Sequence, residues 1–268
     1  MKTKILVLAL MVMPLGAAAQ SDDWGSILSV EVEKKIDKKF SLDFEAEMRT
    51  RDDMETVDRW SGEVSASYKL TSWLKASAGY TFLYDNNEKY SYYDADDDVV
   101  KRDIGIKIGD LKRSAEYWGI RHRFQVSLNG SYKLGKVGLS LRERLQYTYR
   151  PEHTIDQRYI YYDEDEDEYV PEGIGDGTEH TYKSKSKTVL RSRLQAEYKE
   201  KNFPITPFGS VELFNDMDLQ KIRYTAGFDY KLNKKNSLSL YYRYQHVNSD
   251  DDNETNRHFI GLGYTVKF

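Results

Sequence analysis

The hydrophobic pattern is clearest where the chain ends. From Arg257 to Phe268, Ile260, Leu262, Tyr264, Val266 and Phe268 fall on one face, and Phe259, Gly261, Gly263, Thr265 and Lys267 on the other. Period-two alternation over about ten residues is the pattern of a strand that crosses an outer membrane. The same parity recurs upstream. Leu28, Val30 and Val32 alternate with Ser29, Glu31 and Glu33, and Phe44, Ala46 and Met48 with Glu45, Glu47 and Arg49. Further segments follow around Val64, Tyr80, Val126, Leu141, Leu194, Val211, Phe228 and Leu240, which brings the total to eleven. Their ten to fifteen residues exceed the five or six usual for a strand of a soluble sandwich. The pattern therefore predicts an all-β fold: a transmembrane antiparallel up-and-down β-barrel of ten to twelve strands, apolar side chains to lipid and polar ones to the lumen.

The connections fall into two sets. Lys34 to Lys39, Leu70 to Ser72, Leu134 to Lys136, Lys199 to Asn202 and Leu232 to Asn236 are short and mostly lysine-rich. Thr50 to Val57, Asp85 to Ala115, Arg150 to Ser184, Asn215 to Asp218 and Asn248 to Asn256 are mostly longer and more acidic. Short periplasmic turns and longer extracellular loops are the asymmetry of outer-membrane barrels. The expected orientation puts the acidic loops outside and the C-terminus in the periplasm. Single-chain bacterial barrels have even strand counts, so eleven is the awkward number: the first and last strands would run parallel. The alternation from Val100 to Ile108 offers a twelfth strand. The preferred reading makes it an extracellular extension paired with the long segment from Glu116.

Composition sharpens the picture. Lys2 and Lys4, the apolar run Ile5 to Leu15 and Ala17-Ala18-Ala19 form a secretory signal peptide over residues 1–19, which leaves 20–268 as the barrel domain. There is no cysteine, hence no lipobox and no disulfide framework. After Gln20 no apolar run approaches the ~20 residues of a spanning helix. Only 39% of residues are hydrophobic, yet 22 are tyrosine, the residue that gathers at membrane interfaces. A net charge of −4 from 40 basic and 44 acidic residues gives no reason to expect nucleic acid as a partner.

The lumen-facing charges are the candidate functional residues. Glu31, Glu33, Asp43, Glu45, Glu47 and Glu63 lie on the first three segments. Arg121, Arg123, Arg142, Arg144, Arg191 and Arg193 lie on segments five to seven, and Arg223 and Arg243 follow. An acidic wall facing a basic wall has two readings. One is a lumen filled with ion pairs, since an unpaired buried charge costs several kcal/mol; this is the favoured one. The other is a narrow passive pore with a transverse field.

An enzyme would have to be built on the histidines. His122 and His246 share parity with the apolar face, and His153, His180 and His258 lie in or beside outer loops. A membrane-embedded hydrolase, phospholipase- or protease-like, is the alternative function. No Ser/His/Asn set of consistent depth surrounds His122, however, so no catalytic residue is assigned. The acidic runs Asp94 to Asp98, Asp163 to Glu168 and Asp250 to Asp252 lack the glycine and distal glutamate of a calcium loop. They read as solvated loops, and neither a metal nor a cofactor is assigned. Glu143 breaks the apolar parity between Leu141 and Leu145, which marks a bulge, a subunit contact or a shallow depth.

The segments K-L-T-S-W-L-K-A-S-A-G-Y, H-R-F-Q-V-S-L-N-G-S-Y-K-L-G, I-T-P-F-G-S-V-E-L-F, Y-K-L-N-K-K-N-S-L-S-L-Y-Y-R-Y-Q-H and F-I-G-L-G-Y-T-V-K-F resemble the domain of unknown function 2490 family. The resemblance covers about Trp24 to Phe268. It implies an exported outer-membrane β-barrel of Bacteroidetes-type bacteria and carries no activity or catalytic residue. The terminal Phe268 resembles the C-terminal signal by which such barrels engage the barrel assembly machinery. The other expected partners are outer-membrane lipid and lipopolysaccharide.

Overall fold

The computed structural model describes residues 23–93, 109, 111–156, 158–163, 168–171, 179–201, 203–248 and 255–268. The signal-peptide segment, the alternation at 100–108, the acidic runs 94–98 and 250–252 and the centre of the run at 163–168 lie outside these residues. The strands, in chain order, are β1 (Asp23–Lys35), β2 (Phe40–Arg51), β3 (Thr56–Lys69), β4 (Leu74–Tyr92), β5 (Leu111–Leu134), β6 (Val137–Arg150), β7 (His153–Asp156), β8 (Arg158–Asp163), β9 (Glu168–Pro171), β10 (Glu179–Tyr182), β11 (Lys185–Tyr198), β12 (Ile205–Asp216), β13 (Asp218–Lys231), β14 (Asn236–Val247) and β15 (Arg257–Lys267). There is no helix among the described residues.

The chain divides into two units. The first takes in the described residues up to Leu83, with 121–149 and 186–268. Its strands run in the order β4-β3-β2-β1-β15-β14-β13-β12-β11-β6-β5, and β4 pairs with β5 to close the ring. This is an eleven-stranded barrel. Neighbouring strands β1·β2, β2·β3, β5·β6 and β11 through β15 pair antiparallel. β1 and β15 pair in parallel, in unbroken register from Asp23↔Arg257 to Glu33↔Lys267. An up-and-down ring with an odd number of strands forces this outcome, because the first and last strands point the same way. Eleven is thus the count within the expected range, and the closing seam is the unusual parallel one.

The turns follow from local chemistry. The side-chain oxygen of Asp37 accepts the backbone N–H groups of Lys39 and Phe40 at 2.6 and 2.8 Å. Thr71 does the same for Trp73 and Leu74 (3.3 and 3.0 Å), and Asn233 for Lys235 and Asn236 (2.8 and 2.9 Å). Asp, Thr and Asn are the residues whose side chains mimic a backbone acceptor in a turn. The turn between β5 and β6 instead carries Gly135 at φ 60°, a left-handed backbone that glycine adopts without steric cost.

The burial pattern of this unit is inverted relative to a water-soluble protein. Leu28, Val30, Phe44, Val64, Phe124, Val126, Leu128, Leu141, Leu145, Leu194, Leu240, Ile260 and Leu262 are all exposed. Thr81, Gln125, Ser127, Gln146, Thr206 and Glu212 are buried. An apolar outer face of this extent far exceeds the patches a soluble monomer leaves open to water. It matches the lipid-facing band of a transmembrane barrel. A few apolar side chains, Ile27, Leu83, Phe214 and Phe259, are buried as well.

The second unit consists of residues 84–120 and 150–185. In it, β7 pairs with β10 from Glu179↔Asp156 to Tyr182↔His153, β8 pairs with β9, and β8 adds to β5 at Arg113↔Tyr159. The Tyr117 ring stacks on His153 and Tyr182 at 5.3 and 5.5 Å, and Tyr84 stacks on Trp118 at 4.8 Å. Sequence alternation predicts loops over 85–115 and 150–184, whereas β4 extends to Tyr92, β5 begins at Leu111, and β7 to β10 lie in the second stretch. Alternation reports an apolar environment on one face. Strands of four to six residues, such as β7 to β10, are too short to show it.

Candidate functional site

The lumen of the barrel unit carries the predicted charges, and register decides which of them meet. Glu31 on β1 lies opposite Glu45 on β2, which lies opposite Glu63 on β3. The next inward row sets Glu33 opposite Asp43. Like charges directly opposite in a sheet are destabilising, so this acidic wall is held at a cost to the fold. Part of the cost is relieved locally. Arg49 Nε donates to Glu47 at 2.6 Å, Lys267 pairs with Glu33 at 2.8 Å, and Thr265 and Thr81 donate to Glu31 and Glu63 at 3.3 and 3.1 Å. Glu45 makes no hydrogen bond or ion pair among the described residues.

The basic wall is organised by a residue that the charge pattern does not single out. Glu212 on β12, only 4% exposed, accepts from Arg142 Nη2 at 2.5 Å and from Arg191 Nη2 at 3.0 Å, and pairs with Arg223 at 3.5 Å. Two residues on, the Phe214 ring lies under the guanidinium groups of Arg191 and Arg223 at 4.5 and 4.7 Å. Arg144 on β6 donates to Gln125 and Ser127 on β5 at 2.8 and 3.0 Å. Arg123 reaches Thr148 at 3.5 Å, and Arg243 lies over the Tyr241 ring at 5.0 Å. Arg121 shares the inward parity of Arg123 on β5. Arg193 has no hydrogen bond or ion pair among the described residues, and its Nε is buried without a partner.

These ion pairs run along the wall. Arg142, Arg191 and Arg223 reach Glu212 from its own or neighbouring side of the ring, and Glu47, Glu33 and their cations lie within one strand or on adjacent ones. Between the walls lies a cavity of about 330 Å³. Glu31 and Glu45 line it from the acidic side, and Arg193, Glu212, Arg223 and Arg243 from the basic side. In strand order β2 and β11 are five steps apart one way and six the other, so Glu45 and Arg193 come from opposite sides of the barrel.

The outer face resolves the remaining candidates. Glu143 lies in the middle of β6, opposite Leu128, and accepts a 2.6 Å hydrogen bond from Ser192 Oγ on β11. Its pairing with β5 is in unbroken register, so no bulge interrupts that side of β6. His122 Nδ1 shares a 2.8 Å hydrogen bond with the Tyr80 hydroxyl. His258 is sandwiched between Trp24 and Tyr244 at 4.7 and 4.9 Å and shares a 2.6 Å hydrogen bond with Tyr242. His122 and His258 are each engaged by a tyrosine hydroxyl, His246 by the Asn256 side chain at 3.0 Å, and Ser192 by a carboxylate. Among the described residues no group of three or more His, Cys, Asp or Glu side chains is placed to hold a metal ion.

Comparison with known proteins gives a family. The barrel is similar to the β domain of the Bordetella autotransporter BrkA, with 10% identity over 86% of this chain and 82% of that one and a TM-score of 0.48. It is similar to the translocator domain of the autotransporter NalP from Neisseria meningitidis, with 11% identity over 79% and 70% and a TM-score of 0.43. It is also similar to the outer membrane protease OmpT from Escherichia coli, with 12% identity over 88% and 86% and a TM-score of 0.40. At such identities the likeness is one of barrel to barrel. No curated protein matches the sequence. The barrel strands and their inward charges nearly all fall within residues 24–257, the span that matches the model of the family described as Protein of unknown function (DUF2490), and the chain belongs to that family.

Proposed function

We propose that this protein is an outer-membrane β-barrel acting as a narrow passive pore with a charged lumen. The observation that carries this reading is the segregation of charge: the ion pairs of the acidic and basic walls run along each wall rather than across the lumen, with a polar cavity between them. Ion pairs that crossed the lumen would fill it; pairs that lie along the wall leave a transverse field in a water-accessible space. The exposed apolar band supports placement in lipid. The C-terminus is periplasmic in this reading, the acidic loops are extracellular, and Phe268 presents the assembly signal. Lipid and lipopolysaccharide are the surrounding partners.

Conductance tests the reading. Purified, refolded protein in planar bilayers gives discrete current steps, and neutralising Arg142 and Arg144 shifts ion selectivity toward cations. Silent bilayers contradict the pore. We assign no catalytic role to His122, His258 or Ser192. Lipase or protease activity of the purified barrel that disappears in His122→Ala or His258→Ala would overturn that assignment.

A further inference from the structure

The luminal cavity holds two charged groups that the rest of the barrel leaves unused. Glu45 and Arg193 come from opposite sides of the ring, both line the cavity, and neither makes a hydrogen bond or ion pair among the described residues. Their neighbours are occupied. Glu31 accepts from Thr265, Arg223 is drawn to Glu212 and donates to Gln245 at 2.7 Å, and Arg243 lies on Tyr241. The Glu45 and Arg193 side chains are both half-buried, and Arg193 lies opposite Glu212, whose carboxylate is taken up by Arg142, Arg191 and Arg223; a ligand that supplies the opposite charge gives each of the two a direct partner.

We propose that this cavity is a binding site for a small zwitterion, its carboxylate on Arg193 and its ammonium group on Glu45. The proposal rests on the lumen being solute-accessible, as in the pore reading above, and names the solute class. A guanidinium offers a planar fork that matches a carboxylate with two parallel hydrogen bonds. A carboxylate with no other donor is the complementary seat for an ammonium group. The polar lining, with Ser29, Ser210, Thr225 and Ser239 around the charges, suits a hydrated polar ligand. At about 330 Å³ the space lies at the lower end of ligand-binding pockets. That admits an amino acid or dipeptide and excludes an oligosaccharide. A simple anion would leave Glu45 unsatisfied, and a simple cation Arg193, so the two-charge ligand is the one both walls select.

The test is calorimetry on the full barrel refolded in detergent, with glycylglycine as probe and glycine as the shorter arm. N-acetylglycine presents the carboxylate alone, and methylammonium the cation alone. Saturable glycylglycine binding is expected, roughly tenfold tighter than either single-charge probe. Arg193→Gln and Glu45→Gln each weaken it by roughly tenfold, and Arg193→Lys, which keeps the charge but not the fork, weakens it less. Heat-modifiable migration on unboiled gels verifies that each variant is folded. Absence of saturable binding, equal binding of N-acetylglycine, or binding indifferent to both substitutions overturns the proposal. Glycine binding as tightly as glycylglycine identifies a free amino acid as the ligand; glycylglycine binding more tightly identifies a short peptide. Binding in detergent does not require conductance. Silent bilayers with intact binding would therefore contradict the pore alone, and current steps without binding would contradict this site alone.

Discussion

The ring of Tyr241 occupies the space above Gly261 on the neighbouring strand, so that a Cβ at Gly261 would collide with it. On its other side Tyr241 pairs with Gly227, so glycines flank it on both adjacent strands. The inward ring lies where a Gly261 side chain would be and serves as the platform for Arg243, while a Cβ at Gly227 would meet the backbone of Leu240 and Tyr241 and the Tyr241 Cβ. Gly261→Ala forces the ring to move, and overpacking of this kind costs about 1–3 kcal/mol. A lower urea midpoint for refolding into lipid is the expected result. Gly62→Ala is the control, because a Cβ there meets nothing within 4 Å. Its effect stays within about 0.5 kcal/mol.

The parallel seam makes a geometric prediction. Ser29 lies opposite Gly263, and a Cβ at Gly263 would be 3.2 Å from Ser29 Oγ. The chain has no cysteine, so Ser29→Cys with Gly263→Cys places the only two thiols at a separation a disulfide spans. Mild oxidation links them, and the linked chain migrates faster after boiling than its reduced form. Ser29→Cys with Phe259→Cys, four residues along the same strand and paired with Gly25, stays unlinked. A link in the second variant and none in the first would mean the closure is misdescribed.

Glu212 holds together three arginines that would otherwise repel one another. Removing one partner of a buried ion network leaves uncompensated charge, at about 3–5 kcal/mol. Glu212→Ala should therefore destabilise the barrel far more than Glu63→Ala, whose carboxylate is held by a single threonine hydroxyl. Heat-modifiability as a function of temperature measures the difference. Equal melting of the two variants would remove Glu212 from its place as the organiser of the basic wall.

Much of this was legible in the sequence because the barrel's environment writes itself on alternate residues. Leu28, Val30, Leu262 and Tyr264 share the outward parity, and Glu31, Glu45 and Arg142 the inward one. Strand order was the missing information. Glu212 reads as one more inward acid until β12 is placed between β11 and β13, with Arg142 on β6 within reach. Phe214 follows Leu213 directly, so its strand carries adjacent apolar residues and the inward one is not distinguishable by period. The Glu45–Arg193 opposition follows only from closure of the ring. β7 to β10 were illegible because strands of four to six residues are too short to show a period-two pattern.

The turn at Asp37 supplies a pH prediction. The backbone N–H groups of Lys39 and then Phe40 hydrogen-bond its carboxylate and hold its pKa below the ordinary aspartate range. A carboxyl group with a lowered folded-state pKa stabilises the fold above its unfolded value and loses that contribution as pH falls through the folded value. Amide exchange at Lys39 and Phe40 should therefore accelerate, beyond its intrinsic pH dependence, as pH falls below the ordinary carboxylate range. Asp37→Asn should abolish that step. An unchanged step in the variant would show that another group controls the turn.

Single-channel recording tests the charged lumen most directly. The refolded protein in a planar bilayer under a potassium chloride gradient should give discrete current steps with a defined reversal potential. Arg144→Gln removes a cation from the basic wall and moves the reversal potential toward cation selectivity; Glu45→Gln removes an anion from the acidic wall and moves it toward anion selectivity. Opposite shifts from the two walls are the result expected of a transverse charge arrangement around a conducting path. Silent bilayers, or steps whose selectivity ignores both substitutions, would contradict it.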